Sequence, residues 1–167
     1  MKKLLSVILA GVFSLTALTA CGKKAETPSY DVNEVLKTIT DAVPVAMAGD
    51  LTEEELTVMA GINMDDVASF AGQYCMANVS ADTVLVIEAK EGKVDTIKTA
   101  VEAYKENVVK SFELYLPAQY EKAKAGRVVV KGNYVVLAIL GDPIQIEDEG
   151  IDKAYEPVDA AIDEAFK

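Results

Sequence analysis

Arg127 to Lys131 and Tyr134 to Leu140 are two β-branched, apolar runs held apart by Gly132-Asn133. Two such residues between two such runs predict a tight hairpin. A strand with one wet face alternates apolar and polar residues, whereas Tyr134 to Leu140 carries no charge at all. The hairpin is therefore expected at the centre of a sheet. A second strand pair precedes it. Thr83 to Ala89 is rich in β-branched residues and is closed by Glu91-Gly92. Ala68 to Ala77, with Phe70, Tyr74, Cys75 and Met76, reads as its partner across the turn-forming Asn78 to Asp82.

The segments around these strands have helical spacing. Asp31 to Val43 places Val32, Val35, Leu36, Ile39 and Val43 on one face and ends at Pro44. Thr52 with Glu55 forms a capping box for a short helix that Gly61 stops. Lys93 to Leu116 is the longest helix. Its stripe is Val94, Ile97, Val101, Tyr104, Val108, Phe112 and Tyr115. Pro117 breaks it and opens a further helix closed by Gly126. Gly141-Asp142-Pro143 takes the chain out of the sheet. Pro157 is expected to open the last helix, which carries Val158, Ala161, Ile162, Ala165 and Phe166. The expected class is α+β: an antiparallel four-stranded sheet built from two hairpins, with helices packed mainly on one face.

The first twenty residues follow a different logic. Met1-Lys2-Lys3 is basic, and Leu4 to Ala20 is apolar or small apart from Ser6, Ser14, Thr16 and Thr19. That pattern is an export signal and not an element of the fold. Leu18-Thr19-Ala20-Cys21 resembles the bacterial lipobox. The resemblance implies cleavage between Ala20 and Cys21 and a thioether-linked diacylglycerol on Cys21. It also implies, often, a fatty acyl chain such as palmitate on the new amino group. One acyl chain binds a membrane only reversibly, whereas two or three hold stably. The expected layout is a signal peptide at 1–20, the lipidated cysteine and a tether at 21–30, and one domain at 31–167. Gly22 to Ser29, the polar part of the tether, spans at most about 29 Å. The domain would then sit on the extracytoplasmic face of the cell membrane.

Charge and composition close off other classes. The chain has 16 Lys and Arg against 27 Asp and Glu, a net charge of −11. Loss of Lys2 and Lys3 with the signal leaves −13. Attraction to anionic lipid would not hold such a chain, so the lipid on Cys21 has to. The acidic balance argues against nucleic acid, whose phosphates are met by Lys and Arg. The absence of His excludes histidine-based triads, histidine metal ligands and imidazole acid–base catalysis. Two Cys make neither a Cys-rich zinc site nor a disulfide framework. No motif calls for a cofactor or a metal, and no glycine-rich phosphate loop or Gly-x-Ser-x-Gly elbow occurs.

Three stretches accompany the lipobox: Asn78-Val79-Ser80-Ala81-Asp82 leading into the strand to Ala89, Ser111 to Tyr120, and Lys131 to Val136. Together they resemble a family of lipoproteins from Firmicutes, many from gut clostridia, catalogued as domain of unknown function 4358. The resemblance covers residues 40–142. It implies a membrane-anchored extracytoplasmic domain and brings no catalytic residues with it.

Several residues invite a functional reading. Cys75, the thiol left once Cys21 is lipidated, has no basic neighbour to lower its pKa. It is expected to be a small buried hydrophobe and not a redox site. Gln145, Glu147, Glu149, Gly150 and Glu156 shadow a calcium loop, but Gln145 stands where the first Asp belongs. A solvated acidic loop is the expectation there. Tyr115, Gln119 and Tyr120 bracket Pro117 and are weak candidates for ligand binding, with packing of the two rings the plainer expectation. Carboxylates are numerous, yet nothing selects the pair that glycoside cleavage needs. The expected function is a non-enzymatic, lipid-anchored module that binds an envelope protein or a cell-wall component. A carboxylate-based envelope hydrolase and a calcium-dependent binding protein are the alternatives.

Overall fold

The computed structural model describes residues 28–167. The signal segment 1–20, Cys21 and residues 22–27 of the tether lie outside the described residues. Asp31 caps α1 (Val32–Ala42), its carboxylate accepting from the Asn33 N–H at 2.8 Å. β1 (Ala48–Asp50) and α2 (Glu53–Ala60) follow. The Thr52–Glu55 capping box forms, and Gly61 closes α2 in the left-handed region. Then come β2 (Val67–Cys75), β3 (Thr83–Ala89), α3 (Val94–Phe112) and α4 (Pro117–Ala125). β4 (Arg127–Lys131), β5 (Tyr134–Ile139), α5 (Pro143–Glu149) and α6 (Ile151–Ala165) complete the chain.

The class is α+β and the sheet is antiparallel, but it has five strands in the order β1-β2-β3-β5-β4. β1 is the strand that the four-stranded expectation lacks. Its three residues, Ala-Gly-Asp, offer no β-branched side chain, and it forms by pairing with Gln73, Tyr74 and Cys75. The helices also depart from expectation, because they cover both faces of the sheet. Leu85, Ile87, Val135, Leu137 and Ile139 face α2, α3 and α4. Val84, Val86, Val136, Ala138 and Leu140 face α1 and α6. β3 and β5 bury residues on both sides, and two apolar faces need two covers. Each Val, Leu or Ile so enclosed contributes about 1.5–3 kcal/mol relative to exposure.

The Gly132-Asn133 hairpin is present, but only half of it is central. β5 lies between β3 and β4, while β4 is an edge. That edge is tied to α6 by two ion pairs, Arg127–Asp159 and Lys131–Asp163, at 2.7 and 2.9 Å.

Two further corrections concern the C-terminal region. α6 begins at Ile151, so Pro157 lies inside the helix and does not open it. Proline removes the bond to the carbonyl four residues back, and Pro157 sits on the exposed side, where water can take that carbonyl. The acidic stretch Gln145–Glu149 is helical, not a loop. Asp142 caps α5 by accepting from the Ile144 N–H, with Pro143 at its first position.

The ends of the described chain meet at one end of the sheet. Tyr30, Tyr134 and Phe166 form a cluster of three rings with centroids 5.0 to 5.7 Å apart. The Tyr134 hydroxyl accepts from the Tyr30 N–H and donates to the Tyr30 carbonyl, at 2.8 and 2.9 Å. The Tyr30 hydroxyl donates to the Phe166 carbonyl.

Candidate functional site

At the opposite end of the sheet, residues 76–82 carry the chain from β2 into β3. This connection, one flank of α2, the C-terminal half of α3 and the turn into α4 enclose a groove of about 430 Å³. Met59, Tyr74, Met76, Tyr104 and Tyr115 are among its walls. Tyr74, near the end of β2, and Met76, just beyond it, both border the groove. The helical step of α3 brings Tyr104, Val108 and Ser111 into line with Tyr115 beyond its end.

The loop under this groove is held by a buried ion pair. Lys122 of α4 is fully buried, and its ammonium donates to Asp82 at 2.5 Å. It also donates to the Ser80 hydroxyl and the Gly141 carbonyl, both at 3.3 Å. Three donors thus meet three acceptors. The other Asp82 oxygen accepts from the Ala46 N–H at 3.3 Å. Gln119, one turn earlier on α4, accepts from the Ala81 N–H at 2.9 Å. Tyr155 of α6 donates to the Lys122 carbonyl at 2.7 Å, and burial pushes its phenol up. The brace fixes the shape of the loop, and its charges cancel within it.

Among the remaining polar groups, Tyr74 donates to Glu55 of α2 at 2.9 Å. The Thr52 N–H, then the Tyr74 and Thr52 hydroxyls, hold Glu55 below the usual carboxylate value. Glu55 in turn raises the Tyr74 phenol. Burial raises Tyr104, and the negative charge of Glu55 adds to it. The Ser80 hydroxyl sits beside the Lys122 ammonium, whose charge is taken up by Asp82. Apolar and phenolic side chains share the walls with polar ones, Asn78, Ser80, Thr83 and Ser111 among them.

Three exposed apolar residues, Met59, Met76 and Tyr115, line the groove, and Leu114, next to Tyr115 in the chain, is 99 % exposed. Among the described residues, Met47, Val58, Val79, Val130 and Ile144 are further large exposed hydrophobic side chains.

The residues singled out from the sequence divide here. Tyr115 is exposed on the groove wall. Tyr120 packs against the core under the Lys124 ammonium, and Gln119 is a buried part of the brace. Packing therefore holds for Tyr120 and not for Tyr115. Cys75, at the last position of β2, is partly buried, not fully, and packs against the cluster under α1 and α6 while bordering the groove. The calcium pattern falls on α5 and α6. Gln145 donates to Glu149 there, and Lys153 pairs with Glu156. Lys122 and Asp82 escape a search for chemistry-bearing motifs. The available signal is the spacing of Gln119, Lys122 and Ala123, which share the inner face of α4.

The family model described as "Domain of unknown function (DUF4358)" matches residues 42–140. That span includes both arms of the brace, the 76–82 connection and α4. Neither curated proteins nor solved structures give a match. The chain belongs to the family whose model it matches.

Proposed function

We propose that this family member is a lipid-anchored extracytoplasmic lipoprotein of the kind found in Firmicutes. In this reading it is a non-enzymatic module that binds a partner protein or cell-wall component in the groove beneath the β2–β3 connection. The observation that carries the reading is the exposure of Met59, Met76 and Tyr115 on the walls of one groove. Soluble surfaces seldom expose large contiguous apolar patches without a partner to cover them. A volume of about 430 Å³ also falls in the range of ligand sites.

The lipobox at Cys21 supports the anchoring half of the proposal, and the fold supports its orientation. Residues 29–31 lie beside Ser69 and Glu88, at the far end of β2 and β3 from the groove. Tyr74 is five steps along β2 from Ser69, or about 17 Å at 3.4 Å each. A tether leaving near Tyr30 would turn the groove away from the lipid.

The test is photo-crosslinking in the producing cell. A photoreactive side chain at Tyr115 should give a discrete adduct in the membrane fraction. The same group at Ile144, which lies off the groove, should not. Equal labelling at both positions, or no adduct at Tyr115, would overturn the binding role.

A further inference from the structure

β4 ends the sheet, and the turn into β5 decides which of its backbone groups face outward. Gly132, at φ 62°, and Asn133 join Lys131 directly to its partner Tyr134. In a two-residue hairpin the flanking pair exchanges both hydrogen bonds, and the pattern alternates from there. Arg127, Val129 and Lys131 therefore direct their N–H and C=O groups at β5, while Val128 and Val130 direct theirs outward. Among the described residues no other strand pairs with β4. Free edges are commonly guarded by proline, a bulge or a free charge. β4 has an unbroken register, and α6 engages both of its charged side chains through Asp159 and Asp163. Val130 is 38 % exposed. The chain upstream arrives at this edge: Pro28 borders a pocket of about 180 Å³ with Lys131, Gly132 and Phe166, at the hairpin end of β4. Residues 22–27, outside the described residues, reach about 20 Å when extended, and the five residues of β4 span about 17 Å.

We propose that Lys24 to Thr27 dock on β4 as a further strand parallel to it, with Ala25 opposite Val128 and Thr27 opposite Val130. In that register the Val128 N–H donates to the Lys24 carbonyl, the Glu26 N–H to the Val128 carbonyl and the Val130 N–H to the Glu26 carbonyl. Pro28, which has no N–H, falls where the pairing stops. Ala25 and Thr27 cover the face of Val128 and Val130. Lys24 and Glu26 take the α6 face, Glu26 opposite Val129 and between Arg127 and Lys131. Lys24 stands opposite Arg127, where the half-exposed Asp159 carboxylate serves both cations. Arg127 and Lys131 balance Asp159 and Asp163, and Lys24 balances Glu26, so the docked strand adds no net charge to that face. Docking also changes where the tether leaves the domain. Released, it leaves at the hairpin end, beside Tyr30. Docked, it leaves at the Arg127 end, about 13 Å away at 3.3 Å per residue. Arg127 pairs with Ala138, next to the partner of Thr83, so this is the end at which the 76–82 connection enters β3. The docked tether thus carries Cys21 to the groove's end of the domain, and release turns the groove from the lipid. The docking needs no lipid and does not depend on what the groove binds.

The test is disulfide trapping in the full-length protein in nanodiscs, on a Cys75→Ala background. Ala25→Cys with Val128→Cys should oxidise about tenfold faster than Ala25→Cys with Ala68→Cys, whose second cysteine lies on β2, on the other side of the sheet. Glu26→Pro removes the N–H directed at the Val128 carbonyl and should abolish the difference, whereas Glu26→Ala keeps that N–H and should preserve most of it. Amide exchange reads the same contact with Val128 intact. The Val130 N–H should exchange at least about tenfold more slowly in the wild-type chain than in Glu26→Pro. Equal rates for the two cysteine pairs, insensitivity to Glu26→Pro, or fast exchange of Val130 in the wild-type chain would each overturn the docking. A disulfide between two chains in place of the internal one would also overturn it, and would give the edge to a second copy.

Discussion

Replacing Lys122 with Met tests whether the brace is as dry as its geometry implies. The side chains of Lys122 and Asp82 are 1 % and 7 % exposed, so neither has water to fall back on. Met matches the length of the lysine stem but supplies no donor. Asp82 then loses its 2.5 Å partner and keeps the Ala46 N–H, 3.3 Å from its other oxygen. The Ser80 hydroxyl and the Gly141 carbonyl lose a donor as well. Removing one member of a buried pair costs about 3–5 kcal/mol, because the remaining charge is stranded. At about 3 °C per kcal/mol for a chain of this size, the Tm should fall by roughly 10–15 °C. Urea unfolding followed by circular dichroism gives the free energy directly, with the m-value unchanged if the unfolded state is unaffected. Adding Asp82→Leu should recover much of the loss, since an apolar replacement of both partners is often near neutral. A loss below about 1 kcal/mol in the single variant would refute the reasoning, because that is the scale of a solvated surface pair.

Other expectations follow from single residues. Cys21→Ala should abolish incorporation of labelled lipid into the full chain; undiminished labelling would remove the anchor from the proposal. Tyr155→Phe should cost about 1–2 kcal/mol in urea unfolding, because the Lys122 carbonyl loses a donor at 2.7 Å. The native fold holds the Tyr155 phenol protonated above its ordinary value of 10.0, so the stability it lends is complete below pH 10 and declines above it. Stability measured from pH 9 upward should fall less steeply in the Phe variant, and an unchanged slope would place the alkaline sensitivity elsewhere. Cys75, being partly buried, should react with a thiol reagent more slowly in the folded chain than in urea. Equal rates would place the sulfur in open solvent.

What the sequence discloses depends on whether burial leaves a periodic trace. β3, β5 and α3 are legible because nearly every inward position carries an aliphatic or aromatic side chain. The apolar character of Tyr134 to Leu140 on both sides holds the further information that two helical layers are required. β1 leaves no trace, because Ala-Gly-Asp pairs only once Tyr74 is in place. α5 buries none of its residues and forms from its cap and its leading proline, which read equally well as a turn. The site follows the same rule. Tyr115 is conspicuous as an aromatic residue beside a break, and the groove exposes it. Lys122 is hidden because the inner face of α4 is polar: Gln119 and Lys122 occupy positions where apolar periodicity expects aliphatics, and only the fold shows that partners await them.

The clasp at Tyr30 also sets where a mechanical load on the chain would go. A pull on residue 29 reaches Tyr30, whose backbone N–H and carbonyl are both held by the one phenol of Tyr134. Tyr134 opens β5, an interior strand hydrogen-bonded on both sides, to β3 and to β4. Tension therefore enters the sheet at an interior strand before it reaches α1, which begins only two residues further along. The tether could be tugged without unwinding the first helix, and the groove at the far end would keep its shape while it was.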